Sequence, residues 1–241
     1  PELEGGDLLI VAGDLTARDK ADEYGDDFQP WLDAQNYKCK IVVAGNHDNL
    51  LQKGLTVYRG FDQEGHFADA VNLSYIRNCV YLCDSGTEWE YHDPKFPLED
   101  EGFLPSGKRT LKIWGSPWTL RFEGMNPLCM AFTVDTEEEL AEKWALMPKD
   151  VDILVTHLPP YGYLDEVNGK SCGSHSLLKK CYGTGGIFPS VHIFGHIHEQ
   201  GGKMTEIGGC LWPSPHPSIF INASHVNERY EPVNKPIRIE L

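Results

Sequence analysis

The apolar run Val191-His192-Ile193-Phe194 stops at Gly195 and is followed by His196 and His198. In extended chain, residues i and i+2 point the same way, so this spacing predicts two imidazoles aimed into one pocket. Imidazole is a common ligand for zinc, iron, nickel and copper, and manganese also accepts it. Gly195 would let the backbone turn tightly as the strand ends, which is where open α/β sheets place their ligands. Alone, the pair reads more simply as two polar residues at a strand end, so the decision falls to the rest of the chain.

Three further apolar runs end in the same kind of chemistry. Ile10-Val11-Ala12 leads to Gly13 and Asp14, Ile41-Val42-Val43-Ala44 leads to Gly45, Asn46, His47 and Asp48, and Ile153-Leu154-Val155-Thr156 leads to His157. Each has an ordinary explanation by itself: Asp14 could cap a helix, and Asn46-His47-Asp48 could be no more than a turn. Four buried-looking strands that each finish in Asp, Asn or His are better explained by one shared site.

These blocks resemble the calcineurin-like metallophosphoesterase superfamily, whose signature runs Asp-x-His, Gly-Asp, Gly-Asn-His-(Asp/Glu), His, Gly-His-x-His. Gly13-Asp14, Gly45-Asn46-His47-Asp48, His157 and Gly195-His196-Ile197-His198 match four of the five blocks. Trp114-Gly115-Ser116-Pro117-Trp118, Thr156-His157-Leu158-Pro159-Pro160 and Ile221-Asn222-Ala223-Ser224 resemble the metallophosphoesterase-domain group related to class III cyclic nucleotide phosphodiesterases.

The resemblance implies a four-layer α/β/β/α sandwich of two mixed sheets, and two divalent ions chosen from Mn, Fe, Zn and Mg. It implies that Asp14 bridges the ions, with Asn46, His157 and His196 on one of them and His198 on the other. His47 would contact substrate with Asn46 and protonate the leaving group, and Asp48 would orient His47. The implied reaction is hydrolysis of small phosphodiesters or cyclic nucleotides, through attack by a metal-bridging hydroxide. Trp118, Tyr161 and Tyr163 follow strand ends and are candidates to stack a base or aryl group, or to pack a lid.

Only Pro1 to Asp7 precede the first strand, and they contain no histidine, so the Asp-x-His block is absent. We therefore expect one domain over residues 1–241 that lacks its first strand as given, because such a sheet would expose an unpaired edge. The rival readings are a catalytically impaired binding or scaffold protein on the same fold, and a protein phosphatase.

Composition narrows the partners. Thirty-six acidic against twenty-one basic residues give a net charge of −15, which opposes long nucleic acid but suits a small phosphorylated substrate drawn in by bound cations. Seven scattered cysteines lack zinc-finger spacing and point to a reducing, cytoplasmic setting. No apolar run approaches the ~18 residues of a membrane span, and no signal peptide is visible.

The positioning elements follow from periodicity. Leu8–Ala12 and Lys40–Ala44 read as buried strands, separated by a helix over about 19–35 in which Pro30 kinks the helix or begins a second one. A short helix and loops are expected over 51–74, and Cys79–Cys83 should pair with Leu111–Trp114. Acidic 84–108 reads as a surface insertion. Thr136-x-x-Glu139 is a capping box for a helix ending before Pro148. Strands at 152–156 and 191–194 flank a short helix at 176–182, and 218–222 and 237–240 complete a second sheet. His66, His92 and His175 read as surface residues, His192 as a hydrogen-bonded core residue, and His216 and His225 as possible pocket residues.

Overall fold

The computed structural model describes residues 3–57, 75–92, 108–207 and 217–241. Its strands are β1 (Gly6–Ala12), β2 (Tyr37–Val43), β3 (Val80–Leu82), β4 (Ser85–His92), β5 (Lys108–Ser116), β6 (Thr119–Leu120), β7 (Thr133–Val134), β8 (Ile153–Thr156), β9 (Glu166–Val167), β10 (Lys170–Ser171), β11 (Val191–Phe194), β12 (Lys203–Ile207) and β13 (Ser218–Asn222). Helices are α1 (Gln29–Ala34), α2 (Asn49–Val57), α3 (Glu137–Ala145) and α4 (His175–Tyr182). The strands form a three-stranded sheet, β1-β2-β3, a six-stranded sheet, β12-β13-β11-β8-β5-β4, and two small pairs.

Side-chain alternation along the apolar runs builds the layers. In the small sheet Ala12, Ile41, Val43 and Leu82 point one way, toward Ile113, Ile153, Val155, Val191, Ile193 and Ile221 of the large sheet. The opposite faces carry Val42 and Ala44, which pack on Tyr24, Phe28, Leu32 and Leu51, and Trp114, Leu154, Phe194 and Phe220, which pack on Leu140 and Trp144 of α3 and Leu177 and Cys181 of α4. Runs apolar at every position are therefore strands covered on both sides. The result is the expected helix–sheet–sheet–helix sandwich. Each Val or Ile moved wholly from water into the middle layer contributes about 1.5–3 kcal/mol.

Several local expectations are corrected. Leu8–Val11 are only half-buried, because among the described residues β1 lies at the edge of its sheet and pairs with β2 alone. Cys79–Cys83 does not pair with Leu111–Trp114: β3 runs parallel to β2, β5 pairs with β4 and β8, and the chain changes sheets at Asp84, where φ is 50°. Instead β3 and β5 meet face to face, and a Cβ on Gly115 would overlap Leu82 and Val43. The described start of the supposed insertion is β4, whose eight residues pair antiparallel with β5, while 93–107 lie outside the described residues. The missed signal is period-two alternation, with Trp89 and Tyr91, stacked at 5.4 Å, at alternate positions to Glu88 and Glu90. Residues 237–240 form no strand, although Ile237 and Ile239 still pack on the middle layer. β12 was not foreseen.

Other expectations hold. Pro30 opens α1 at its first turn, after a π-helical stretch Glu23–Phe28. Thr136 and Glu139 form both bonds of the capping box that starts α3. His192 is fully buried with Nε2 2.9 Å from Thr156 Oγ1 and Nδ1 3.2 Å from the Tyr182 hydroxyl. Burial pushes its pKa down to about 3. Among the described residues no helix is long and apolar enough to cross a membrane.

Candidate metal centre

The parallel strands β1 and β2 end side by side in the small sheet, as β8 and β11 do in the large one. Asp14, Asn46, His157 and His196 therefore emerge at one edge of the sandwich, two from each sheet. The sheets must approach very closely there. A Cβ on Gly13 would run into the His157 ring, and one on Gly45 would run into Asp14 and His157. These two glycines supply the space that the site needs.

Hydrogen bonds orient the four side chains. Asn46 Nδ2 donates to the Cys129 carbonyl at 3.0 Å, which turns Oδ1 toward His157 Nε2 and His196 Nδ1, each 2.9 Å away. His157 donates from Nδ1 to the Ala12 carbonyl at 3.1 Å, so Nε2 presents a lone pair. His196 Nε2 lies 3.3 Å from Thr119 Oγ1, and a proton held there leaves Nδ1 bare. Nδ1 of His196 is 3.2 Å from Nε2 of His157, which is 3.4 Å from Asp14 Oδ1. Four electron-pair donors thus face one another, an arrangement that needs a cation or a proton in its midst. Burial, and next the neighbouring His157, push the His196 pKa down to about 3, so the imidazole is neutral. Burial opposes ionisation of Asp14, yet the adjacent imidazoles of His157, His47 and His196 and the His47 backbone N–H hold its carboxyl below the usual range. Two imidazole nitrogens, an amide oxygen and a carboxylate oxygen suit a first-row divalent ion. The ligand atoms of Asp14, His157 and His196 all lie within 4.8 Å of one another.

The neighbouring turn departs from expectation. Asp48 does not orient the His47 ring. Its carboxylate accepts N–H bonds from Gly45 (2.7 Å) and Leu15 (3.1 Å), and O–H bonds from Tyr24 (3.1 Å) and Thr16 (3.3 Å). It ties the loop after β1 to the loop after β2. Burial, reinforced by the charge of Asp14, raises its pKa to about 7. The His47 ring is held instead by the Ala17 carbonyl, 3.0 Å from Nδ1, while its backbone N–H bonds Asp14 Oδ1 at 3.0 Å.

His198 stands apart from the four-atom cluster. β11 ends at Phe194, and His196 takes φ 65°, so the two histidines sit on a turn and do not share one face of a strand. His198 opens a short 3₁₀ turn and meets the Tyr230 ring edge-on at 5.1 Å. Asn222 holds that turn from β13 by donating to the Ile197 carbonyl at 2.9 Å and the Leu164 carbonyl at 3.0 Å. Its place in a matched motif was visible in the sequence, but its bonding was not. Thr119 and Cys129 were missed entirely, because a backbone carbonyl and a lone hydroxyl carry no sequence signal.

The aromatic candidates are otherwise engaged. Trp118 donates to Asp84 at 2.7 Å, packs edge-on against Phe132, and has Lys143 Nζ 3.8 Å from its ring centroid. Tyr161 stacks on exposed His175 at 3.7 Å, and Tyr163 on buried Phe220 at 4.6 Å. His225 Nδ1 lies 2.7 Å from the Asn234 carbonyl. His66, His216 and the side chain of His92 lie outside the described residues.

Fold and site together define an α/β/β/α protein with a metal-type ligand cluster on the shared carboxyl edge of two facing sheets. The sequence model of calcineurin-like phosphoesterases matches residues 1–200, and the chain belongs to that family. Metallophosphoesterase domain-containing protein 1 of Homo sapiens is 33% identical over 251 residues, covering 100% of this chain and 66% of its own length, and its Mus musculus counterpart gives the same figures. A UPF0046 protein of Caenorhabditis elegans is 30% identical over 232 residues, covering 96% of this chain and 67% of its own. The chain thus spans just under two thirds of the human and mouse relatives.

Proposed function

We propose that the protein is a metal-dependent phosphoesterase that hydrolyses small phosphodiesters, cyclic nucleotides among them. The observation that carries this reading is the convergence of Asn46 Oδ1, His157 Nε2, His196 Nδ1 and Asp14 Oδ1, four potential ligand atoms, with Asn46 turned by the Cys129 carbonyl and His157 by the Ala12 carbonyl. Asp14, Asn46, His157 and His196 would hold one divalent ion, and Asp14 with His198 would contribute to a second. Bound there, such ions acidify a water for attack on phosphorus and neutralise phosphoryl charge. The chain's own residues do the rest. The His47 N–H and the knot around Asp48 fix Asp14 and the Asn46 turn in place. The His47 ring has Nδ1 committed to Ala17, which leaves Nε2 to deliver a proton to the departing oxygen. The net charge of −15 favours a small substrate over a polyanion.

Hydrolysis of bis(p-nitrophenyl) phosphate tests the reading. Activity should rise with added Mn²⁺ and vanish on prolonged chelation. Turnover indifferent to both would sink it.

A further inference from the structure

The organic half of the ester also has a place in this structure. Phe122 and Tyr230 are 54% and 66% exposed, unusual for large aromatic side chains. Each meets a different histidine of the site edge-on: Phe122 lies 6.1 Å from His196 and Tyr230 lies 5.1 Å from His198, centroid to centroid. Leu128, also exposed, precedes Cys129, whose carbonyl orients Asn46. Apolar surface is thus gathered around a site that is otherwise built from polar atoms.

The Tyr230 loop is held in place by more than packing. Tyr230 has φ 61°, a left-handed conformation seldom taken by an aromatic residue. Asn227 Oδ1 accepts the N–H groups of Arg229 (2.9 Å) and Glu231 (3.0 Å), and its backbone carbonyl accepts the Tyr230 N–H at 2.9 Å. Asn227 Nδ2 donates to the Glu231 carboxylate at 2.8 Å. Asn234 fastens the base of the same loop to the Ser224 and Val226 carbonyls at 2.9 and 3.2 Å. A residue needed only for stability would bury its ring, whereas this network fixes a strained backbone and leaves most of the ring in water. Strain maintained in this way is a mark of functional positions.

We infer that Phe122 and Tyr230 are specificity residues that grip a flat aromatic group carried by the phosphoester, an aryl ring or a nucleobase. This rests on the phosphoester reading of the site. Trp118 and Tyr161 each have one ring face already occupied, by Lys143 and His175.

Calorimetric binding to the Mn²⁺-loaded protein separates the possibilities, using phenyl phosphate against methyl phosphate and adenosine 5′-monophosphate against ribose 5-phosphate. The wild type should prefer the aromatic member. Phe122→Ala and Tyr230→Ala should each weaken aromatic binding about tenfold, the scale of one stacking contact, with less than about a twofold change for the aliphatic member. Tyr230→Phe should retain the preference. A preference in both pairs identifies a general aryl site, and one in the nucleotide pair alone a nucleobase site. Equal affinity within each pair, or Ala variants that keep the preference, overturns the inference while leaving the phosphoester reading intact. Binding of none of the four probes to the loaded protein removes both.

Discussion

Asn46 shows how much of the site depends on single hydrogen bonds. Its amide is turned by the Cys129 carbonyl, and without that bond Oδ1 and Nδ2 could exchange places and present a donor to two imidazoles. Because His196 belongs to the four-atom cluster and His198 does not, their substitutions should differ. His196→Ala should abolish the tighter of two divalent-ion sites in titration calorimetry, and His198→Ala should affect mainly the weaker. Two equally tight ions in the wild type would show that other residues complete the second site. His47 bears on catalysis differently. With its ring on the Ala17 carbonyl and outside the cluster, His47→Ala should lower turnover of poor leaving groups by about 10²–10⁴-fold. Metal content by elemental analysis should remain near that of the wild type, and its loss would make His47 a ligand.

At the scale of elements, the helix layer over the large sheet is joined through one carboxylate. Glu137, in the first turn of α3, accepts bonds from Ser174 Oγ (2.9 Å) and from the backbone N–H groups of His175 (2.8 Å) and Ser176 (3.0 Å) at the start of α4. Burial raises its pKa, but the donors from Ser176, His175 and Ser174 prevail and hold it below the usual value. A carboxyl depressed in this way contributes stability above its unfolded pKa, and the contribution is lost as pH falls through the folded pKa. Glu137→Ala leaves four donors, the Ser176 hydroxyl being the fourth, without their acceptor and should lower stability by about 1–3 kcal/mol in denaturant titration. Thr136→Ala removes only the α3 cap and should cost about 1 kcal/mol. A Glu137 variant no less stable than the cap variant would mean that water replaces the carboxylate at no cost.

Across the whole molecule, acid sensitivity should include a contribution from the core. His192 sits between Thr156 and Tyr182 with its pKa lowered from 6.5 to about 3 by burial. Between those two values the unfolded chain binds the extra proton, so stability rises with pH through this window and levels off above about 6.5. His192→Gln keeps hydrogen-bonding capacity but cannot titrate. Its stability between pH 6.5 and 4 should therefore fall less steeply than that of the wild type, by up to about 1.4 kcal/mol per pH unit. Parallel slopes for the two proteins, followed by thermal unfolding across pH, would contradict a neutral buried imidazole.

The layers were legible in the sequence because their cause is local. A run that is almost wholly apolar must be covered on both faces, and the runs at 41–44, 153–156 and 191–194 said so without reference to one another, whereas the run at 8–12 is buried fully only at Ala12. The chemistry at their ends was legible for the same reason, as was the capping box at Thr136, whose partners lie within a single turn. Direction beyond a strand end was not. His196 and His198 diverge because the chain leaves extended conformation after Phe194, and Asp48 bonds Gly45, Leu15, Thr16 and Tyr24 because two loops 30 residues apart close over it. Trp118 and Tyr161 were drawn into packing by Asp84 and His175, partners that no short-range spacing announces. Which four side chains converge was settled only when two sheets packed closely enough for Gly13 and Gly45 to admit the His157 ring. That contact joins residues more than a hundred positions apart, so it follows from the packing of whole layers and from no pattern along the chain.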